Sequence, residues 1–101
     1  MSGDYPPPGN VELANASSEG LTFTWNPIAP VCSSIQYRIK APNCGACPTE
    51  TTTTLAFCTN NQSWTEKRIC MFSVHSSMCG ATGNQSIPLL ASVGGTYVHL
   101  Y

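Results

Sequence analysis

The stretch Leu21-Thr22-Phe23-Thr24-Trp25 alternates apolar and polar side chains without a fault. A period of two marks a half-buried β-strand, because successive side chains leave a strand on opposite faces. It sends Leu21, Phe23 and Trp25 to one face and the threonines to the other. Asn26-Pro27 ends the strand, since proline cannot donate to a ladder. The same period returns at Ile35-Gln36-Tyr37-Arg38-Ile39-Lys40-Ala41, with Ile35, Tyr37, Ile39 and Ala41 inward. It returns again at Cys70-Met71-Phe72-Ser73-Val74-His75-Ser76, with Cys70, Phe72 and Val74 inward. Val11 and Leu13 alternate over a shorter span. Thr51 to Cys58 is rich in β-branched residues and reads as one or two strands. Ile87 to Val93 reads as a last strand, which Pro88 marks as an edge. Turn-forming clusters lie between these runs: Asn15 to Gly20, a Pro-rich segment up to Cys32, Asn60 to Arg68 with Trp64 inside it, and Cys79 to Asn84. No stretch combines a 3.6-residue period with caps. Short strands with turns about every 8–12 residues predict an all-β antiparallel sandwich.

The chain has 101 residues, enough for one small domain. Residues 6–93 are its predicted extent. Residues 1–5 read as linker or vector-derived, and 94–101, after Gly94-Gly95, as a linker or tail. The start lacks the apolar segment of a signal peptide and leads through Pro6, Pro7 and Pro8, a stiff polyproline-like segment. The net charge is −1 with 9% charged residues, so the electrostatic footprint of a nucleic-acid binder is missing. Hydrophobic residues reach 42%, which suits a packed core rather than disorder. Apolar runs are only a few residues long, so a membrane is expected to be met only through a parent protein.

Six cysteines, an even number in a small domain, predict a disulfide framework and an oxidising, extracellular location, secreted or in an ectodomain. Asn15, Asn61 and Asn84 each open an Asn-x-Ser sequon and are glycosylation candidates. Cys44-Gly45-Ala46-Cys47 has three readings: a thioredoxin-like redox pair, half of a zinc site, or part of a structural disulfide framework. A redox thiolate needs a helix N-terminus to lower its pKa. Pro48-Thr49-Glu50-Thr51 and the threonines after it make a poor helix. For zinc, Cys58 and Cys70 stand too far apart to form a second close pair. The structural reading is preferred, and the alternative is a small redox or metal-binding protein using Cys44 and Cys47. His75 alternates outward beside Ser73, Ser76 and Ser77, and His99 lies in the tail, with no acid placed to complete a triad. Gly80-x-x-Gly83 lacks the helix and lysine of a phosphate loop. No catalytic residue, metal or cofactor is expected.

The Pro-rich lead-in, Leu21-x-Phe23-x-Trp25-x-Pro27, Tyr37-x-Ile39, Cys70-x-Phe72-x-Val74 and Gly83-Asn84-Gln85-Ser86-Ile87-Pro88 follow one another in an order that resembles a fibronectin type III domain of the cysteine-bearing extracellular variety. The resemblance spans roughly residues 6–93. It departs at Cys70, where the family usually carries the tyrosine-corner residue, and in a longer connection before it. It implies a seven-stranded antiparallel immunoglobulin-like sandwich with up to three disulfides. It implies a non-catalytic module of a receptor or adhesion ectodomain, a structural spacer and/or a protein-binding unit. Its partners would be a protein ligand or neighbouring domains of the same chain, the isolated domain being monomeric. Family topology puts Cys32 and Cys79 at one pole and pairs them. Cys44, Cys47, Cys58 and Cys70 gather at the other, with Cys58–Cys70 plus Cys44–Cys47 as first choice and Cys44–Cys70 plus Cys47–Cys58 as the alternative. Contact candidates implied by the family are Ala29, Pro30 and Val31 in the BC loop and Met78, Ala81, Thr82, Gly83 and Asn84 in the FG loop. Arg38, Lys40, Met71 and His75 on the outward face of strands C and F join them. Trp64, in its polar loop, either folds back over the sandwich end, the preferred reading, or is a further contact candidate; Met78 is either a contact or simply packed.

Overall fold

The computed structural model of the chain describes residues 6–29, 34–59, 69–92 and the backbone of 97–99. Within them the chain is all-β, with β1 (Glu12–Ser17), β2 (Gly20–Thr24), β3 (Gln36–Lys40), β4 (Glu50–Thr51), β5 (Leu55–Thr59), β6 (Ile69–Met78), β7 (Ala81–Gln85), β8 (Leu89–Ser92) and β9 (Tyr97–His99). They build two antiparallel sheets. One runs β1-β2-β5; the other runs β4-β3-β6-β8-β9, with β7 also paired to β6.

The period-two runs supply the core. Leu21, Phe23 and Trp25 from β2 and its end meet Tyr37, Phe72 and Val74 from the facing sheet, all buried. Phe23 stacks on Phe72 with ring centroids 3.9 Å apart, so one aromatic pair joins the centres of the two sheets. Trp25 meets Tyr37 edge-on at 5.6 Å, a favourable geometry for the ring quadrupoles. The Tyr37 hydroxyl is not stranded: it accepts a hydrogen bond from the Ile28 backbone N–H at 3.0 Å and anchors the segment after β2. Ile35, Ile39 and Ala41, expected inward, pack against this core while remaining only partly buried.

Three local expectations change, and a fourth, one or two strands over Thr51 to Cys58, resolves to two. The cluster from Cys79 to Asn84 is not a loop: β6 and β7 join through a two-residue turn at Cys79-Gly80, both at positive φ (56° and 74°). That is the geometry of the hairpin turn that suits strand twist. Asn15, Ala16 and Ser17 belong to β1, leaving Ser18-Glu19 as the turn. Thr51 to Thr54 breaks between β4 and β5, because the Thr51 hydroxyl accepts the Thr53 N–H at 3.2 Å and offers the backbone a turn in place of a ladder. The last strand is not an edge, since β8 pairs with β6 on one side and β9 on the other. Pro88 instead lies in the Ser86-Ile87-Pro88 break between β7 and β8. At that break Ser86 fills the ladder: its hydroxyl accepts the Val74 N–H at 3.0 Å, and its own N–H donates to the Val74 carbonyl at 2.9 Å.

Candidate functional site

The Cys44-Gly45-Ala46-Cys47 segment follows β3 and crosses from one sheet to the other. Asn43 and Gly45 take positive φ (66° and 97°) and turn the chain twice within three residues. Cys44 is thereby directed into the core and bonds Cys70 at the start of β6. Ala46 then forms an isolated antiparallel bridge with Thr59, donating to its carbonyl at 2.8 Å and accepting from its N–H at 3.0 Å. The bridge brings Cys47 alongside β5, where it bonds Cys58. One cysteine of the pair is thus fastened to each sheet.

The first-choice pairing, Cys58–Cys70 with Cys44–Cys47, is corrected to the alternative, Cys44–Cys70 with Cys47–Cys58. The reason is registry. The β3–β6 pairing Lys40 to Ser73, continued past Lys40, brings Asn43 opposite Cys70, and the turn at Asn43 (positive φ) then directs the next residue, Cys44, inward against Cys70. The Ala46–Thr59 bridge then aligns the next residue with Cys58. Cys44, Cys58 and Cys70 are buried, and Cys47 is half-buried. Cys79 is disulfide-bonded as well, and Cys32, its expected partner, lies outside the described residues. With Cys44 and Cys47 each bonded to a different cysteine, the segment offers no vicinal thiol pair for redox exchange or metal binding.

The second candidate surface is the outward face of β3 and β6. Arg38 and Lys40 project from β3, and His75 of β6 stands opposite Arg38. Arg38 forms an ion pair with Glu50 of β4, Nη2 to Oε2 3.3 Å, both half-exposed. These side chains line a shallow polar hollow with Thr49. His75 titrates below the ordinary imidazole value: burial disfavours its charged form, and the cations Lys40 and then Arg38 add repulsion. The Ser73 hydroxyl, on the same side, is buried and donates to the Lys40 carbonyl at 3.4 Å. Met71 is 40% exposed below it.

The other expected residues scatter. Met78 is buried, so it is a packing residue rather than a contact residue. Gly83 is buried, Ala81 and Thr82 are half-buried on β7, and Asn84 is exposed near its end. Asn15 is exposed on β1 next to a β-bulge. Ala29 is exposed at the end of the first described segment. Pro30, Val31, Asn61 and Trp64 lie outside the described residues. Sequence reasoning assigned no role to Leu55 and Phe57, whose side chains stand exposed on β5. The available signal was Cys58: a core-facing cysteine there turns Ala56 inward and Leu55 and Phe57 outward by parity. No helix of the described residues is long and apolar enough to cross a membrane. Comparison with protein-family models, with curated proteins and with solved structures gave no match to this chain.

Proposed function

We propose that this chain is a non-catalytic extracellular module, a fibronectin type III-like sandwich serving as a structural spacer and/or protein-binding unit in a receptor or adhesion ectodomain. The strand order supports the fold. With β1, β2 and β5 as strands A, B and E, and β4, β3 and β6 as C′, C and F, the sheets read A-B-E and C′-C-F. Strands β7 and β8, both paired to β6, take the place of an interrupted strand G, which makes seven. Strand β9 is then an addition to the pattern.

The observation that carries the function is the division of Cys44 and Cys47 between the two sheets. A redox site keeps its two cysteines for each other; here they form a clamp, and a clamp is what a module held between neighbouring domains needs. Cross-links closing 26 and 11 residues contribute about 3.5 and 3 kcal/mol respectively in the chain-entropy picture. Such a framework belongs to an oxidising compartment. The face bearing Arg38, Lys40 and His75 is the surface offered to a protein partner.

The test is a titration of thiols on the folded protein, with metal analysis and an assay of disulfide reductase activity. No reactive thiol, no bound metal and no turnover are expected. A low-pKa thiol or a stoichiometric metal overturns the reading. Combined alanine substitutions at Arg38, Lys40 and His75 separate binding unit from spacer: unchanged capture of the parent ectodomain's ligand leaves the spacer alone.

A further inference from the structure

The outer face of the three-stranded sheet carries two large apolar side chains in the open, Leu55 (49% exposed) and Phe57 (41% exposed). The register says what stands beside them. Asn15 of β1 pairs with Thr22 of β2, and Thr22 pairs with Phe57 of β5. Asn15, Thr22 and Phe57 therefore form one row across the outward face, with a short threonine between the two ends. The Phe57 ring leans over Gly20, whose missing side chain makes room for it; a Cβ there would meet Phe57 Cζ at 2.9 Å and collide with the Cys58 carbonyl oxygen. The tip of the ring thus rests beside Gly20, and the residue is still 41% exposed.

Asn15 is exposed and opens the sequon Asn15-Ala16-Ser17. We propose that Asn15 carries an N-linked oligosaccharide whose first sugars lie across Thr22 and cover Phe57. The proposal rests on the extracellular reading above. With strands about 4.8 Å apart, the row from Asn15 to Phe57 spans roughly 10 Å, a distance two pyranose rings bridge. A pyranose presents a face of C–H groups, and the negative face of an aromatic ring attracts them while the sugar hydroxyls stay in water. Nothing polar is stranded, because the intervening residue is a half-buried threonine with its hydroxyl available. Asn84, the other sequon among the described residues, lies on the opposite sheet, and Phe57 is the one exposed large aromatic described. In the modification itself, Asn15 Nδ2 attacks the anomeric carbon of a polyprenyl-pyrophosphate-linked oligosaccharide. The new N–C bond replaces the C–O bond to pyrophosphate, the amide gives up one proton, and the lipid pyrophosphate leaves.

The experiment secretes the chain from a eukaryotic host with Asn61→Gln and Asn84→Gln, so that Asn15 is the remaining acceptor. Peptide mass mapping is expected to find Asn15 occupied, and NMR to find contacts between the first sugars and the Phe57 ring. Asn15→Gln is expected to lower Tm by about 4 °C, a shift of the size one aromatic contact gives in a domain this small. Phe57→Thr is expected to erase the difference between glycosylated and unglycosylated forms. An unoccupied Asn15 in a folded, secreted, fully disulfide-bonded protein overturns the proposal and leaves the module reading standing. So does an occupied Asn15 without ring contacts whose effect on Tm survives Phe57→Thr. Free, reactive thiols in the same secreted protein break the module reading instead.

Discussion

The two sheets share one core and turn very different faces to solvent. The outer face of β1-β2-β5 carries Asn15, Thr22, Thr24, Leu55 and Phe57, with Glu12 its one charge at the edge. The outer face of β3 and β6 carries Arg38, Lys40 and His75, with Glu50 on β4 beside them. The first face mixes exposed apolar side chains with uncharged polar ones and carries a single acid at its edge; the second is polar and cationic. In a chain with only 9% charged residues this division is uneven enough to have chemical consequences. A sparsely charged face with an exposed aromatic suits a covering group. A polar hollow with half-exposed charges suits a partner that comes and goes.

The comparison breaks first at what the faces share. Phe72 stacks on Phe23 and also touches Trp25, centroids 5.9 Å apart, so it belongs equally to both sheets. Phe72→Ala should cost about 4 kcal/mol, read as a loss of unfolding free energy in urea. Replacing both Cys44 and Cys70 by alanine should cost about 3.5 kcal/mol by the same measurement, and replacing Cys47 and Cys58 about 3 kcal/mol. The order has a second basis: both sulfurs of the first bridge are buried, while Cys47 is half-buried. Mild reductant should therefore open Cys47–Cys58 first, by differential alkylation. If the two pairs lose equal stability and reduce together, the clamp does not act as two separate fastenings.

The alternation of Leu21 to Trp25, Ile35 to Ala41 and Cys70 to Val74 made the inner faces legible, because a period of two is a direct statement about which side chains share a side. Three things escaped that logic. In β5 the larger side chains, Leu55 and Phe57, face out while Ala56 and Cys58 face in. Hydrophobicity alone points the other way; the disulfide to Cys47 sets the register, and a one-residue slip would reverse every side chain. The cysteine pairing was legible only as far as two alternatives, since proximity at one pole does not give the order of crossing, and the deciding contact is a backbone bridge from Ala46 to Thr59. The Cys79-Gly80 hairpin was hidden because a cysteine at positive φ is not a common turn signal. The polar hollow was legible in part: parity placed Arg38, Lys40 and His75 on one face, whereas Glu50 arrives on a two-residue strand too short to read.

Smaller effects sharpen the contrast between the faces. Gly20→Ala puts a methyl group against the Cys58 carbonyl and the Phe57 ring and should cost about 2 kcal/mol, with Phe57 more exposed by its near-ultraviolet signal. On the other sheet, Glu50→Gln removes a half-exposed ion pair and should cost less than about 1 kcal/mol in low salt, and nothing measurable in high salt. A large loss for Glu50→Gln, or none for Gly20→Ala, would reverse the assignment of a packed contact on one face and a solvent-exposed one on the other.

The smallest effect is the most specific to the cationic face. Burial, then Lys40, then Arg38 hold His75 below the ordinary imidazole value of 6.5. The unfolded chain therefore binds the proton more readily than the folded one, and stability rises with pH across the window between the two values. The stabilising contribution is complete above 6.5 and is lost as pH falls through the folded value. Lys40→Gln removes the larger of the two repulsions, so it should raise the His75 titration midpoint followed by NMR and narrow that window. Arg38→Gln should raise it less, because the guanidinium is already partly answered by Glu50. Since Lys40 and Arg38 repel the imidazolium, an anionic group of a partner docking over them should relieve the repulsion and draw the midpoint up further. A midpoint indifferent to both substitutions would mean that burial alone sets it, and the cationic face would lose its claim to act as one electrostatic unit.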